Sequence, residues 1–265
     1  MHVFITGGTR GIGQGLVNEF IKRGHVVSFT GTTQKSVDKS IEKLSGEYIG
    51  LVCDVRNSTE LVTAKDKAIN KFGKIDIWIN NAGVSHLQKD ISDLSEDEIK
   101  RVIDINVTGM IMGTNIALNE MKKQGYGSIY NFEGLGSDGR VIPKTIVYGA
   151  SKRLVRYFSR ACNKELKEYP NVFVGTISPG MVFTDLLLKD ATKDSMKIMG
   201  ILGNDVETVT PFIVKKVLKR KQYIYWLTTR KVMFKFFMSV FKHEKKNSNW
   251  FCLIRINRLG GMKWN

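Results

Sequence analysis

Tyr148 and Lys152 stand four positions apart in Tyr148-Gly149-Ala150-Ser151-Lys152. On a helix that spacing stacks the two side chains one turn apart on one face. An ammonium beside a phenol stabilises phenolate and draws the tyrosine pKa down from about 10. Such a pair can give or take a proton at the oxygen of an alcohol or ketone. Chance supplies Tyr-x-x-x-Lys in many chains, so its meaning depends on the residues that accompany it.

Those residues begin at the first strand. Val3-Phe4-Ile5 reads as a short buried strand that runs into Thr6-Gly7-Gly8-Thr9-Arg10-Gly11-Ile12-Gly13. Leu16, Val17, Phe20 and Ile21 then recur at helical spacing. A strand enters a glycine-rich turn and the turn opens a helix. Glycines let backbone approach a pyrophosphate, and the free amides of the helix N-terminus receive its charge. The spacing is Gly-x-x-x-Gly-x-Gly, and the plainer alternative is an ordinary strand-to-helix turn.

Thr6-Gly7-(x)3-Gly11-x-Gly13, Asn80-Asn81-Ala82-Gly83, Asn106, Tyr148-(x)3-Lys152 and Pro179-Gly180-(x)3-Thr184 occur in that order. The ordered set resembles the short-chain dehydrogenase/reductase family over roughly residues 1 to 227. The stretch Asn131-Phe132-Glu133-Gly134-Leu135-Gly136-Ser137-Asp138-Gly139 before Val147-Tyr148 is closer to the chlorophyll b reductase-like branch, whose members handle a large, flat, apolar substrate. The resemblance implies a Rossmann-like α/β fold with a doubly wound parallel sheet, a nicotinamide cofactor and hydride transfer assisted by Tyr148 and Lys152.

Residue by residue, the resemblance assigns cofactor contacts to Gly7, Thr9, Arg10, Gly11, Ile12, Gly13, Thr32, Asp54, Val55, Asn81, Ala82, Gly83, Tyr148, Lys152, Pro179, Gly180, Val182 and Thr184. Asp54 would meet the adenine amino group, with a turn-capping aspartate as the alternative. Thr184 would hold the nicotinamide carboxamide, or cap a helix. Asn106 would hold a water in a relay to Lys152, or satisfy a kinked backbone. Most members carry a serine about thirteen residues before the tyrosine. Here that position is Leu135, and Ser137 is the nearest hydroxyl, so Ser137 is the candidate for polarising the substrate carbonyl. Glu133 reads as a substrate contact or a helix-capping acid.

Charge bears on which nucleotide is taken. A carboxylate after the second strand would bind a ribose 2′-hydroxyl and repel a 2′-phosphate. Phe29-Thr30-Gly31-Thr32-Thr33-Gln34-Lys35 holds no acid, and Arg10 could grip the extra phosphate. NADP(H) is therefore expected over NAD(H).

The elements that must position these groups alternate along the chain, as in a parallel sheet covered on both faces. Strands are expected at Val3–Thr6, Val26–Thr30, Tyr48–Val52, Ile75–Ile79, Ser128–Phe132, Val172–Ile177 and Tyr223–Leu227. Helices are expected near 11–23, 35–44, 58–72, 96–122, 147–168 and 205–219, with Ser95-Glu96-Asp97-Glu98 as a start signal. The segment 185–204 reads as a cover over the substrate. At 265 residues the chain fits one catalytic domain, residues 1–227, followed by a basic extension, residues 228–265.

The net charge is +16. From Pro211 onward fourteen Lys and Arg face one acid, Glu244, a net +13 that leaves +3 for the rest. That distribution marks a C-terminal module, whereas a uniformly basic surface would have suggested nucleic acid. Lys231-Val232-Met233-Phe234-Lys235-Phe236-Phe237-Met238-Ser239-Val240-Phe241-Lys242, with Trp250, Phe251 and Trp264 beyond it, reads as an amphipathic helix. Its apolar side would pack on the body or a subunit, or would meet an anionic membrane surface.

Cys53, Cys162 and Cys252 lack metal-ligand spacing and suggest a reducing setting, so no metal is expected. The first residues already read as strand, no run is long enough to span a bilayer, and a cytoplasmic protein with peripheral membrane contact is expected. The resemblance implies a homo-oligomer, a dimer or tetramer, although the extension replaces the Gly-rich end many members use in tetramer packing. The expected activity interconverts a secondary alcohol and a ketone on a bulky apolar, hydroxysteroid-like substrate. Alternatives are a 3-oxoacyl-thioester reductase and a non-catalytic NADP(H)-binding sensor or scaffold.

Overall fold

The computed structural model describes residues 1–42, 44–189, 191 and 193–242 of the chain. Strands β1 (His2–Thr6), β2 (Val26–Gly31), β3 (Tyr48–Val52), β4 (Ile77–Asn80), β5 (Gly127–Phe132), β6 (Val172–Ser178) and β7 (Tyr223–Tyr225) form one sheet. Their order is β3-β2-β1-β4-β5-β6-β7, and every pairing is parallel. The chain leaves β1 toward one edge, then restarts at β4 beside β1 and builds the other edge. The crevice above the carboxyl ends of β1 and β4 is the switch point where an open α/β sheet takes its ligand.

Helices cover both faces. On one face Leu16, Val17 and Phe20 of α1 (Gly11–Lys22) pack with Val209, Ile213, Val214 and Val217 of α9 (Val206–Leu218). On the other, Leu61, Ala64 and Ala68 of α3 (Ser58–Phe72) meet Ala117 and Met121 of α5 (Met110–Gln124) and Cys162 of α6 (Ile146–Glu165). The central strands are apolar on both sides, as parallel strands under two helical layers must be. α2 (Gln34–Ile41) follows β2, with Thr33 accepting from the Ser36 amide at its start.

Local signals explain the boundaries. Asn57 caps α3 by accepting from the Thr59 and Glu60 amides, and Gly73 ends it at φ 76°. Ser95 and Glu98 form a capping box at α4 (Glu96–Ile103). The single helix expected over 96–122 is interrupted: Asp104–Gly109 winds as a π-helix between α4 and α5. Gly109 lies against Val55 there, and Asn106 is turned inward. Strand β4 begins at Ile77, two residues later than expected, and Asp76 just before it accepts from the His2 amide through its side chain at 2.6 Å.

After β6, residues 181–204 make a compact unit with α7 (Asp185–Leu188) and α8 (Lys193–Leu202). Phe183, Leu188 and Met199 form its core with Met181, Leu187 and Met196 around them. Its two ends are joined, since Phe183 N donates to Asn204 O at 2.9 Å and Asn204 N to Met181 O at 3.0 Å.

The extension begins with α10 (Thr229–Lys242), which packs on α8. Its orientation reverses the expected packing. Lys231 lies over the Trp226 ring, and Lys235 donates to Leu202 O and Asn204 Oδ1. Met233 and Phe234 are 67% and 63% exposed. The lysines reach the body because carbonyl and ring acceptors are there to take them. Trp250, Phe251, Cys252 and Trp264 lie outside the described residues. Among the described residues no helix is long and apolar enough to cross a membrane.

Candidate active site

The glycine turn is built from close approaches. A methyl placed on Gly7 would come within 2.9 Å of Ala82 Cα, and one on Gly13 would collide with Gly7 O. Thr6 accepts through Oγ1 from the Asn81 and Ala82 amides at 3.1 and 3.2 Å. Asn81 Nδ2 donates to Thr6 O at 3.1 Å and Gly7 O at 2.8 Å. The Asn81-Ala82-Gly83 segment is thereby clamped to the turn. Across the cleft, a methyl on Gly11 would meet Thr184 Cγ2 at 3.3 Å.

Arg10 stands at the N-cap of α1 and makes no side-chain cap. The first amides of α1 thus face the cleft with no side chain to receive. Close glycines, an uncapped helix start and the facing Thr184 fit a dinucleotide pyrophosphate. Gly31–Lys35 brings no carboxylate. Arg10 itself pairs with Asp185 of α7 at 3.5 Å, both side chains well exposed.

Tyr148 and Lys152 occupy one face of α6, as their spacing predicts. Lys152 Nζ lies 5.9 Å from the Tyr148 ring centroid and donates to Phe132 O at 3.2 Å. The electrostatics differ from the expectation of an acidified phenol. Burial pushes Tyr148 up to about 12, and burial pulls Lys152 down to about 8 against an upward pull from Glu133. Desolvation outweighs mutual stabilisation here, because the ammonium is turned to a backbone carbonyl.

Gly83 joins this pair to the nucleotide segment. A methyl on it would lie 3.5 Å from Lys152 Nζ and 3.4 Å from Asn106 Oδ1. Asn106 is buried; it accepts from Val84 N at 2.8 Å and donates to Val84 O at 2.8 Å and Ser151 Oγ at 3.1 Å. The π-helical turn is what aims it at residue 84, a role such turns often have at functional sites.

The other expected residues are placed as follows. Ser137 is 2% exposed, and its Oγ accepts from Gly134 N at 2.9 Å and donates to Lys152 O at 3.1 Å. Its proton is committed to the backbone, so this geometry does not present it to a carbonyl. Gly134 is the residue that faces the phenol. Glu133 caps no helix: it is buried and paired with Arg156 and Thr176. Asp54 is held by Arg56 at 2.6 Å, and that hydrogen bond keeps its carboxyl below the usual range. Val55 is buried beneath Gly109. Thr184 sits at the N-cap of α7 without a cap bond, its Oγ1 donating to Val182 O at 3.4 Å. Pro179 and Gly180 follow β6, with Gly180 at φ 70° against Leu227. Thr32 is exposed at the end of β2.

Arg156 and Thr176 escaped the sequence reading. The signal for Arg156 was present, since it lies one further turn along the Tyr148 and Lys152 face. Cys53 and Cys162 are buried free thiols, and among the described residues no cluster could hold a metal.

The model of the short chain dehydrogenase family matches residues 1–195. Chlorophyll(ide) b reductase NOL, chloroplastic, from Oryza sativa subsp. japonica is 34% identical over 263 residues, covering 93% of this chain and 77% of that protein. A 3alpha-hydroxysteroid dehydrogenase from Mediterraneibacter gnavus is 32% identical over 193 residues, covering 69% of this chain and 74% of that one. In fold, the chain is similar to 3-ketoacyl-(acyl-carrier-protein) reductase from Brucella melitensis complexed with NADH, with a TM-score of 0.79 at 21% identity over 87% of this chain and 98% of that one. The expectation of a cytoplasmic protein is overturned: the plant relative matched over nearly all of the chain is chloroplastic.

Proposed function

The chain belongs to the short-chain dehydrogenase family and is an NAD(P)-dependent oxidoreductase; on that premise we propose that it interconverts a ketone and a secondary alcohol on a bulky apolar substrate, with NADP(H) as the preferred nucleotide. The observation that carries this reading is the position of Gly83, next in sequence to the Asn81-Ala82 pair bonded to the glycine turn and within a methyl's reach of Lys152 Nζ.

Gly7, Gly11, Gly13, Ala82, Gly83 and Thr184 would hold the nucleotide. When bound, it supplies or accepts the hydride. Tyr148 gives its proton to the substrate oxygen in reduction and takes it back in oxidation. With its pKa pushed up to about 12, the phenol is protonated at neutral pH and suits the donor role. Lys152, fixed by Phe132 O, holds positive charge beside the phenol as the proton leaves. Polarisation of the carbonyl falls on Tyr148 itself, since Ser137 is engaged elsewhere.

An apolar substrate is supported by Met181, Leu187 and Met196, partly buried around the core of the 181–204 unit that follows Thr184. The relatives named for chlorophyll(ide) b and for a 3alpha-hydroxysteroid support the same class. The preference for NADP(H) rests on Arg10 and on the absence of acid over Gly31–Lys35. The outward apolar face of α10, within a segment of net +13, supports an anionic lipid surface as the partner of the extension.

The test is oxidation of NADPH and NADH by the full chain against tetrapyrrole ketones, steroid ketones, acyl thioesters and small ketones, with Tyr148→Phe as control. Turnover of a bulky apolar carbonyl that Tyr148→Phe abolishes is the expected result. Turnover confined to acyl thioesters, or unchanged in the variant, would overturn it.

A further inference from the structure

Glu133 is a carboxylate whose side chain has no exposed surface. Both oxygens are assigned: Oε2 accepts from Arg156 Nη2 at 2.7 Å, and Oε1 from Thr176 Oγ1 at 2.7 Å. An anion so buried is held only where partners offset its lost hydration. Its neighbours in sequence touch the reactive pair. Phe132 O, just before it, receives Lys152 Nζ. Gly134, just after it, lies against the Tyr148 hydroxyl and Lys152 Cγ.

The charges facing Lys152 come from several elements. On α6 they are Tyr148 and Arg156, one turn to either side, while Arg153 turns away to donate to Ser137 O. From the end of β5 comes Glu133. Asp138 in the following loop and Tyr225 on β7 act on Arg156. The π-helical segment offers only the neutral Asn106. Burial is what lowers Lys152, and Arg156, one turn further along α6, is turned to Glu133. Among the described groups, Glu133 is the anion that Lys152 senses.

We propose that Glu133 is a positioning residue: anchored by Arg156 and Thr176, it holds residues 132–134 against α6 and supplies the negative charge that keeps Lys152 an ammonium beside Tyr148. The proposal rests on the catalytic reading of Tyr148 and Lys152. A merely structural acid would hold the strand end and leave the protonation of Lys152 alone.

The experiment is an NMR titration of 13C-labelled lysine in the nucleotide-free protein, with the Lys152 signal assigned by its loss in Lys152→Arg. It needs no turnover, so it stands apart from the choice of substrate. Glu133→Gln should lower the Lys152 midpoint by about one unit. Glu133→Asp should restore most of it. The double variant Glu133→Gln/Arg156→Met removes both ends of the pair rather than stranding one charge, so it should fold, and it should show a lowered midpoint as well. In the same variants the alkaline limb of kcat should move to lower pH while NADPH affinity is nearly unchanged. A Lys152 midpoint equal to that of the native protein in either folded variant would overturn the proposal.

Discussion

Gly134 lies directly against the Tyr148 hydroxyl: a methyl built on its Cα would approach the phenolic oxygen to 2.5 Å and Lys152 Cγ to 3.0 Å. No Cβ tolerates such a contact, so Gly134→Ala must displace the phenol or the strand end. Misplacing a reacting group by about 1 Å can cost on the order of a hundredfold in rate. Gly134→Ala is therefore expected to lower kcat by about that factor with NADPH affinity retained. Normal kcat in a folded variant would show that the phenol is not held from this side.

Ser137→Ala should act on stability before it acts on chemistry. The hydroxyl ties the 134–137 turn to Lys152 O, and removing a buried hydrogen bond of this kind costs about 1 kcal/mol or somewhat more. The expected outcome is a lower Tm with a loss of turnover well short of that in Tyr148→Phe, which should reach roughly 10²–10⁴. Equal losses in the two variants would return Ser137 to the chemistry.

The reductive reaction should fail on the alkaline side. Lys152 is an ammonium below about 8 and an amine above it, while Tyr148, near 12, keeps its proton through that window. Raising the pH through 8 removes the positive charge that steadies the departing proton. A plateau in kcat at neutral pH with a fall above about 8 is expected from a pH profile, and a rise there would contradict the assignment.

Nucleotide choice can be read at Arg10. Its partner Asp185 competes with any phosphate for the guanidinium. Arg10→Ala should weaken NADPH binding more than NADH binding, and Asp185→Asn should strengthen NADPH binding selectively. Fluorescence titration of both nucleotides checks this. Equal losses in Arg10→Ala would remove Arg10 from the argument.

The extension should answer to salt. If its cations and the outward Met233 and Phe234 meet an anionic surface, each Lys or Arg contributes about 1 kcal/mol at low ionic strength. The full chain should co-sediment with phosphatidylserine vesicles at low salt, release at high salt, and bind less as Met233→Glu/Phe234→Glu. Binding unaffected by salt and by those changes would exclude α10 as the contact.

Periodicity and short motifs made most of the sheet legible. β3 matches its expected bounds, and the Ser95 signal marks the start of α4. What stayed hidden depends on residues far apart in the chain. The π-helical turn exists because Asn106 reaches Val84 and Gly109 meets Val55, contacts that helical spacing does not encode. Glu133 finds Arg156 and Thr176, 23 and 43 positions away. An amphipathic pattern located α10 but could not say which face turns inward; carbonyls at the end of α8 settled that in favour of lysine.

Lys235 has a practical bearing on how the enzyme is handled. By gripping Leu202 and Asn204 it braces the end of α8, and Asn204 is the residue that closes the 181–204 unit on itself. The last described helix is thus a strut on the 181–204 unit. Clipping, tagging or tethering the molecule at that end would be felt as a change in how firmly the 181–204 unit is held.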